Sequence, residues 1–356
     1  MNGAAQDERP PAPVTAVIPT FNRARDLERA LGHLDRQSAG AVGVVVVDNS
    51  STDGTGDMVR ALMPAWAGRL RYIRRDPNGP AAARNTGLEA VRTPFVLFVD
   101  SDVDLAGDWV ERALAHFRDE PGLGAAGGYI LYAFDPGRVN AYGGDLGRMG
   151  LAWDVGEGTT LDPDTGPAPR IWINCSAMLA RADAVREAGG FDETFFYGYE
   201  DSDLGWRMNL MGHGVAVYPD LAARHNVSEE VGLAHAGIVF HYCKNRLRSV
   251  LKNASAANLP VMLAGYAAYS LADLVARAPR AAKLRALAWN LARLPETLRL
   301  RRQAQARRVV PDAVVFSRGS GRWLPPSPLA GRRRRPAGTE GQPASAAAGT
   351  QADDRV

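Results

Sequence analysis

Cysteine is nearly absent: only Cys175 and Cys243 occur in 356 residues, with no CxxC pair. That lacks both the count of a secreted disulfide framework and the spacing of a thiol metal or redox site, so reduced thiols and a cytoplasmic setting are expected. The opening MNGAAQDERPPAP has no basic segment followed by an apolar core, so no secretory leader is expected. Long hydrophobic runs are missing too. The most apolar stretch, LPVMLAGYAAYSLADL (259–274), stops at Asp273, short of the about 20 residues that a spanning helix takes. Peripheral attachment to the inner face of a membrane is the expectation there, not crossing. No GxGxxG follows the first strand-like segment, where IPTFNRA stands instead, which removes the dinucleotide-binding fingerprint. No internal repeat is found.

What is present is an ordinary globular composition, 46% apolar and 23% charged, able to bury a sizeable core. The net charge of +3 conceals an asymmetry. Residues 271–335 hold 16 Lys or Arg against 3 Asp or Glu, so the body before them is acidic. An acidic body with a basic end suggests a catalytic domain whose C-terminal segment meets an anionic surface.

Strand-like and helix-like segments alternate from residue 14. VTAVIPT (14–20), VGVVVVD (42–48), LRYIRR (70–75) and FVLFV (95–99) read as strands. ARDLERALGHLDRQ (24–37), a segment from about Asp57, and GPAAARNTGLEAVR (79–92) read as helices between them. Such alternation implies an α/β fold with a mostly parallel central sheet flanked by helices. In such sheets ligands sit beyond the carboxyl ends of the strands, where Thr20, Asp48 and Asp100 lie. Residues 124–170, rich in Gly, Pro and Asp, read as antiparallel strands and loops forming a surface beside the sheet. IWINCSAMLAR (171–181) and VAVYPD (215–220) read as further strands, and EDSDLGWRMNLMGHG (200–214) as a helix. Beyond about 230 the pattern is helical, with Leu284, Leu287, Leu291, Leu294 and Leu298 at helical spacing. The expected organisation is a disordered lead-in over 1–13, a domain over 14–255, a basic helical segment over 256–330 and a disordered tail over 331–356.

One stretch concentrates charge. After Phe95–Val99, three aspartates follow at alternate positions, Asp100, Asp102 and Asp104, and so close together they repel unless a cation neutralises them. A solvated turn is one reading. A calcium loop is another, since Asp100, Asp102, Asp104, Asp108 and Glu111 fit an EF-hand pattern, but Leu105 stands where its sharp turn needs Gly. A Mg²⁺ or Mn²⁺ site serving a diphosphate is the third.

Five motifs occur in one order: VIPTFNR (17–23), VVVDNSSTDGT (45–55), AARNTGL (82–88), FVDSDV (98–103) and GFDETFFYGYEDSDLGWR (190–207). Together they resemble the inverting, nucleotide-sugar-dependent family 2 glycosyltransferases with the GT-A fold, over roughly residues 14–250. The resemblance implies a nucleotide-sugar donor (dTDP-, UDP- or GDP-linked) bound by Pro19, Thr20, Arg23, Asp48 and Asp53, with Arg84 and Asn85 near its diphosphate. It implies a divalent metal on Asp102, with Asp100 on the ribose or a metal-bound water and His225 as a further ligand. Asp201 matches the base that deprotonates the acceptor hydroxyl, and Glu200, Asp203 and Trp206 are expected to meet the acceptor. Asp104 is left without a role. YCKNRLRSVLKN (242–253) resembles the family's Asn-Arg segment, facing the diphosphate, an anionic lipid carrier or solvent.

The implied activity is sugar transfer to a glycan or polyprenyl-linked acceptor in cell-envelope polysaccharide synthesis, with rhamnose favoured because FFYGYEDSDLGWR resembles the bacterial rhamnosyltransferase subgroup. A sugar nucleotidyltransferase and a non-catalytic glycan-binding protein remain as alternatives. Nucleic acid is not expected as a partner: RRRR (332–335) lies in the tail, without an aromatic platform or recognition helix. An anionic membrane surface suits the basic C-terminal helices better.

Overall fold

A computed structural model describes residues 9–226 and 236–326. Most of the lead-in and all of the 331–356 tail, including RRRR, lie outside the described residues. The first part runs β1 (Pro11–Thr20), α1 (Ala24–Asp35), β2 (Ala41–Asp48), α2 (Thr55–Leu62), β3 (Leu70–Arg74), α3 (Gly79–Ala90) and β4 (Phe95–Val99). Next come β5 (Val103–Leu105), α4 (Trp109–Asp119), β6 (Leu123–Gly127), β7 (Tyr129–Tyr132), β8 (Asp135–Tyr142), β9 (Gly144–Leu146), β10 (Ala152–Asp154) and β11 (Ala168–Pro169). The α/β part closes with β12 (Ala177–Arg181), α5 (Ala182–Glu187), α6 (Glu200–Leu210), β13 (Gly214–Val217) and β14 (Ala223–His225). Five helices follow: α7 (Ala236–Asn253), α8 (Leu259–Ala276), α9 (Arg280–Ala292), α10 (Leu294–Ala306) and α11 (Asp312–Phe316).

The central sheet has eight strands in the order β11-β13-β6-β12-β4-β1-β2-β3. β4, β1, β2 and β3 are mutually parallel, and the Val-rich β2 is buried on both faces, as a parallel strand between helix layers must be. α1 buries Leu27, Ala30, Leu31 and Leu34 on this sheet, the stripe its periodicity gives. α3 packs still closer through small residues, since a Cβ on Gly87 would come within 2.2 Å of Val17. The strand direction then reverses: β12 lies antiparallel between β4 and β6 and begins only at Ala177, while in the apolar run before it Trp172 makes a single bridge to Gly144 and the chain then turns.

Two registers build the site. β1 pairs with β2 so that Thr20 sits beside Asp48, bringing both strand ends to one edge. A second sheet, β5-β14-β7-β8, sets His225 opposite Val103, next to Asp102. Residues some 120 apart in sequence meet through that single pairing.

The basic segment expected as an appendage packs into the same compact unit as the rest of the described chain. Val315, Phe316 and Met262 share a core with Trp206 and Leu210 of α6. α8 spans 18 residues and is long and apolar enough, by length and composition, to cross a membrane, with only 6% of it buried. This corrects the expectation that the apolar run stops short at Asp273, because the helix continues to Ala276. The leucine stripe does not face the core either. Leu284, Leu287, Leu291 and Leu298 are exposed, while α9 buries Ala282, Ala286 and Asn290 instead.

Candidate active site

On the donor side, Asp48 is buried and already engaged. Its oxygens accept from the Ser51 amide (2.8 Å) and hydroxyl (2.6 Å) and from the Tyr72 hydroxyl (2.5 Å). A base meets it only where those partners give way. Asp53 orders the loop, accepting from the Ala24 amide at 3.0 Å and from the Thr55 amide at 3.1 Å. Its pKa is lowered because these bonds, with the Thr55 hydroxyl, outweigh its partial burial. Thr20 keeps a buried hydroxyl with no hydrogen-bond partner, as does the Asn49 side-chain oxygen beside it. Pro19, paired with Val47, is part of β1 itself.

Asp100, Asp102 and His225 offer ligand atoms within 4.8 Å of one another. His225 Nε2 stands 3.4 Å from Asp102 Oδ1, and its other ring nitrogen lies 3.1 Å from Asn140 Oδ1 on β8. Such an outer partner fixes the ring and aims Nε2 at an ion. Two carboxylates and an imidazole suit Mg²⁺ or Mn²⁺. Arg23 lies 2.9 Å from Asp102, at the rim of this group rather than free in the loop. Asp102 is lowered despite burial, by His225 and Arg23, and His225 is raised despite burial, by Asp102. Asp104 points elsewhere, to Arg29 at 2.7 Å and to Asn226 at 3.3 Å.

Arg84 joins this group to the carboxylates that open α6. Its guanidinium lies 2.9 Å from Asp100, 3.3 Å from Glu200 and 3.7 Å from Asp201. Burial opposes its charge, yet Asp100, Asp201 and Glu200 together raise its pKa. Asp201 is oriented from its other side by the Cys175 amide, 3.0 Å from Oδ2. The turn into α6 places Gly198 and Tyr199 in the left-handed region, at φ 71° each. For Tyr199 that is a strained conformation of the kind kept at functional sites. Asn245 of α7 holds the turn through the carbonyls of Tyr197 and Gly198.

Burial and the neighbouring Asp201 push Glu200 up to about 7. A carboxyl raised on folding contributes stability below its ordinary value of 4.5, and the contribution is lost as pH climbs through about 7. Glu200→Gln is therefore expected to melt higher than wild type at pH 8, by about 1 kcal/mol or roughly 2–4 °C, and to match it at pH 5. Equal effects at both pH values in thermal melts would contradict the assignment.

Five expectations change. Arg84 is not placed for a phosphate, because its guanidinium is paired with the carboxylates of Asp100, Glu200 and Asp201 and its side chain is 4% exposed. Asn85 turns away, pinning the Phe191 backbone from both its side-chain atoms and reaching Glu193 at 3.0 Å. Asp203 is fully buried, bound to Arg207, Lys252 and Asn253, and cannot meet an acceptor. Trp206 is likewise buried, edge-on to Phe316. Past its exposed first residue, Tyr242, the Asn-Arg segment turns inward: Arg248 and Lys252 lie inside, paired with Asp192 at 2.8 Å each. Burial resists the Asp192 charge, but those two cations hold its pKa well below the usual range. Asn140, Asn174 and the Cys175 amide were missed, since strand pairing and a loop bring them in without a local motif.

Among known proteins, the family described as "Glycosyl transferase family 2" matches residues 15–144. The pre-mycofactocin glycosyltransferase of Mycobacterium tuberculosis is 33% identical over 221 residues, covering 60% of this chain and 42% of that protein. The chain thus spans less than half of that relative's length. The same organism's N-acetylglucosaminyl-diphospho-decaprenol L-rhamnosyltransferase is 28% identical over 251 residues, covering 62% of this chain and 77% of its own. Among solved structures, GalNAc-T7 with UDP, GalNAc and Mn²⁺ superimposes with a TM-score of 0.58 at 14% identity, covering 71% of this chain and 50% of that one. These likenesses agree with the order of the motifs and with the sheet that carries them: residues 15–144 match family 2 of the glycosyltransferases, and the chain carries the GT-A fold.

Proposed function

We propose that the chain transfers a sugar, with inversion, from a nucleoside-diphosphate donor to a hydroxyl of a glycan or lipid-linked acceptor. The observation that carries this reading is one guanidinium, Arg84, held between the Asp100–Asp102–His225 group and the Glu200–Asp201 pair. It couples a place for a diphosphate's counter-ion to a place for a base. Asp201 takes the acceptor proton as the acceptor oxygen bonds to the anomeric carbon. The bond from that carbon to the diphosphate oxygen breaks, and its electron pair leaves with the nucleoside diphosphate. Asp102, His225 and Asp100 would hold a Mg²⁺ or Mn²⁺ ion, which when bound would supply positive charge to offset that of the leaving group.

Support for the metal comes from the donor set and from the Mn²⁺ in the superimposable structure. For the donor sugar we favour rhamnose, supported by the motif likeness and the rhamnosyltransferase relative, in cell-envelope polysaccharide synthesis. Titration of UDP, GDP and dTDP in Mn²⁺ tests the donor half. At least one is expected to bind, with a loss of tenfold or more in Asp102→Asn and in EDTA, following the charge-assisted bonds removed. Metal-independent binding of equal strength would contradict it.

Cytoplasmic, peripheral attachment to an anionic bilayer completes the reading. Exposed Val261, Leu271 and Val275 on α8 and the exposed leucines of α9 and α10 supply a shallow apolar face, and the basic residues supply charge. α8 is tied to the body rather than free to insert, since Tyr266 and Tyr269 stack on Arg246 and Lys283 pairs with Asp273 at 2.6 Å. Cosedimentation is expected with vesicles containing phosphatidylglycerol and to fall away in salt. Equal binding to neutral vesicles would sink the electrostatic part.

A further inference from the structure

The acceptor side holds more carboxylate than one base requires. Asp154 ends β10, paired with Gly144 in the β9–β10 hairpin. The hairpin is fixed to the entrance of α6, because the Ala152 amide donates to the Tyr199 hydroxyl at 3.3 Å and that hydroxyl donates to the Gly150 carbonyl at 3.1 Å. Asn174 lies against Asp154 and acts to lower its pKa, while the next residue's amide, Cys175, holds Asp201. Two consecutive loop residues therefore meet carboxylates from two different elements. Asp154 and Asp201 lie close enough for their charges to act on each other, and burial, with Glu157 and Asp201, pushes Asp154 up to about 7.

Three oxygens in this region, Asp154 Oδ1, Glu200 Oε2 and Asp201 Oδ1, are buried without a hydrogen-bond donor. Native proteins rarely leave such atoms unpaired, and three together signal that the donors arrive with a ligand. An aromatic wall stands beside them. Tyr242 of α7, 39% exposed, covers Gly198, where a Cβ would come within 3.2 Å of its ring. Its ring meets that of Tyr199, the residue before Glu200, edge-on at 5.9 Å, and its hydroxyl is raised by burial and by Tyr197, Tyr199, Asp154 and Glu200. Tyr197, 45% exposed, meets it edge-on at 6.0 Å.

We propose that this is the acceptor subsite and that it takes a neutral, polyhydroxylated ring, Asp154 accepting from or donating to a hydroxyl beside the one Asp201 deprotonates. The inference rests on the glycosyl-transfer reading above. A sugar ring carries an apolar C–H face for Tyr242 and a rim of hydroxyl donors for the carboxylates. An anionic acceptor unit, such as a lipid phosphate or a uronate, meets like charge there.

Saturation-transfer NMR of the full chain with Mn²⁺ and UDP, GDP or dTDP tests it, using methyl pyranosides of glucose, mannose, galactose and rhamnose. Methyl glucuronide and citronellyl phosphate serve as anionic comparators. At least one neutral pyranoside is expected to take saturation, and the anionic probes none. Asp154→Ala is expected to weaken it on the order of tenfold, the effect of one hydrogen bond to a charged group, with Asp154→Asn recovering part and both variants melting cooperatively. An unchanged affinity in Asp154→Ala, or preference for an anionic probe, overturns the subsite. So does the absence of saturation by every neutral pyranoside in protein whose Mn²⁺-dependent nucleotide binding is intact, and the donor reading then stands. Pyranoside binding without any nucleotide binding would support the subsite and count against glycosyl transfer instead.

Discussion

Asp201→Asn is expected to lower glycosyl transfer by about 10²- to 10⁴-fold, the usual contribution of a positioned general base, while nucleoside-diphosphate binding changes little. The amide keeps the shape of the side chain and one oxygen for the Cys175 amide, so the turn into α6 has no reason to move. It cannot take a proton at neutral pH. The donor is held at the other end of the site, by the strand ends near Thr20 and by the Asp102–His225 group. Transfer measured with saturating donor, beside a nucleotide titration, separates the two ends. A parallel loss of both would make Asp201 a structural residue of the Arg84 network.

Arg84→Met is the second large effect, and it reads stability as well as activity. The substitution leaves Asp100, Glu200 and Asp201 buried or half-buried with their shared cation gone. Removing one partner of a buried ionic group costs about 3–5 kcal/mol, so a marked drop in melting temperature is expected, together with loss of transfer. Arg84→Lys restores the charge but not the fork that spans two elements, so it is expected to recover stability before activity. Chemical denaturation and donor turnover on the same preparations check this. Loss of activity with stability unchanged would mean that Arg84 serves the diphosphate, as its motif alone suggests.

The contrast shows what sequence could and could not convey. The parallel strands were legible because each is a short apolar run bounded by turn residues, and the motif order brought Asp100, Asp102, Glu200 and Asp201 into view together, with His225 added from its place after the next strand. Side was the harder matter. Residues two apart on a helix point about 200° apart, so Asp201 and Asp203 cannot both face one ligand. Asp203 indeed turns inward to Arg207 and Lys252. Helical geometry held that signal, while the motif as a string hid it. Arg84 and Asn85 divide in the same way, one toward the carboxylates and the other toward Phe191.

Other features had no local signal. Asp154 lies in a Gly-rich stretch with no periodicity, and only the β9–β10 pairing and Tyr199 bring it to the site. The exposed leucines of α9 have a helical repeat that reads as a core face. Yet α9 packs on α7 through alanines and Asn290, which donates to the Lys244 carbonyl. Burial of that kind depends on which neighbour arrives, a tertiary fact.

The most direct measurement is release of nucleoside diphosphate from a panel of UDP-, GDP- and dTDP-sugars by the purified chain, with Mn²⁺ and again with EDTA. The expected result is cleavage of at least one donor, stopped by EDTA and by Asp102→Asn. Failure of the folded wild-type chain to cleave any of them, with sugar acceptors present, would contradict metal-assisted glycosyl transfer at this site.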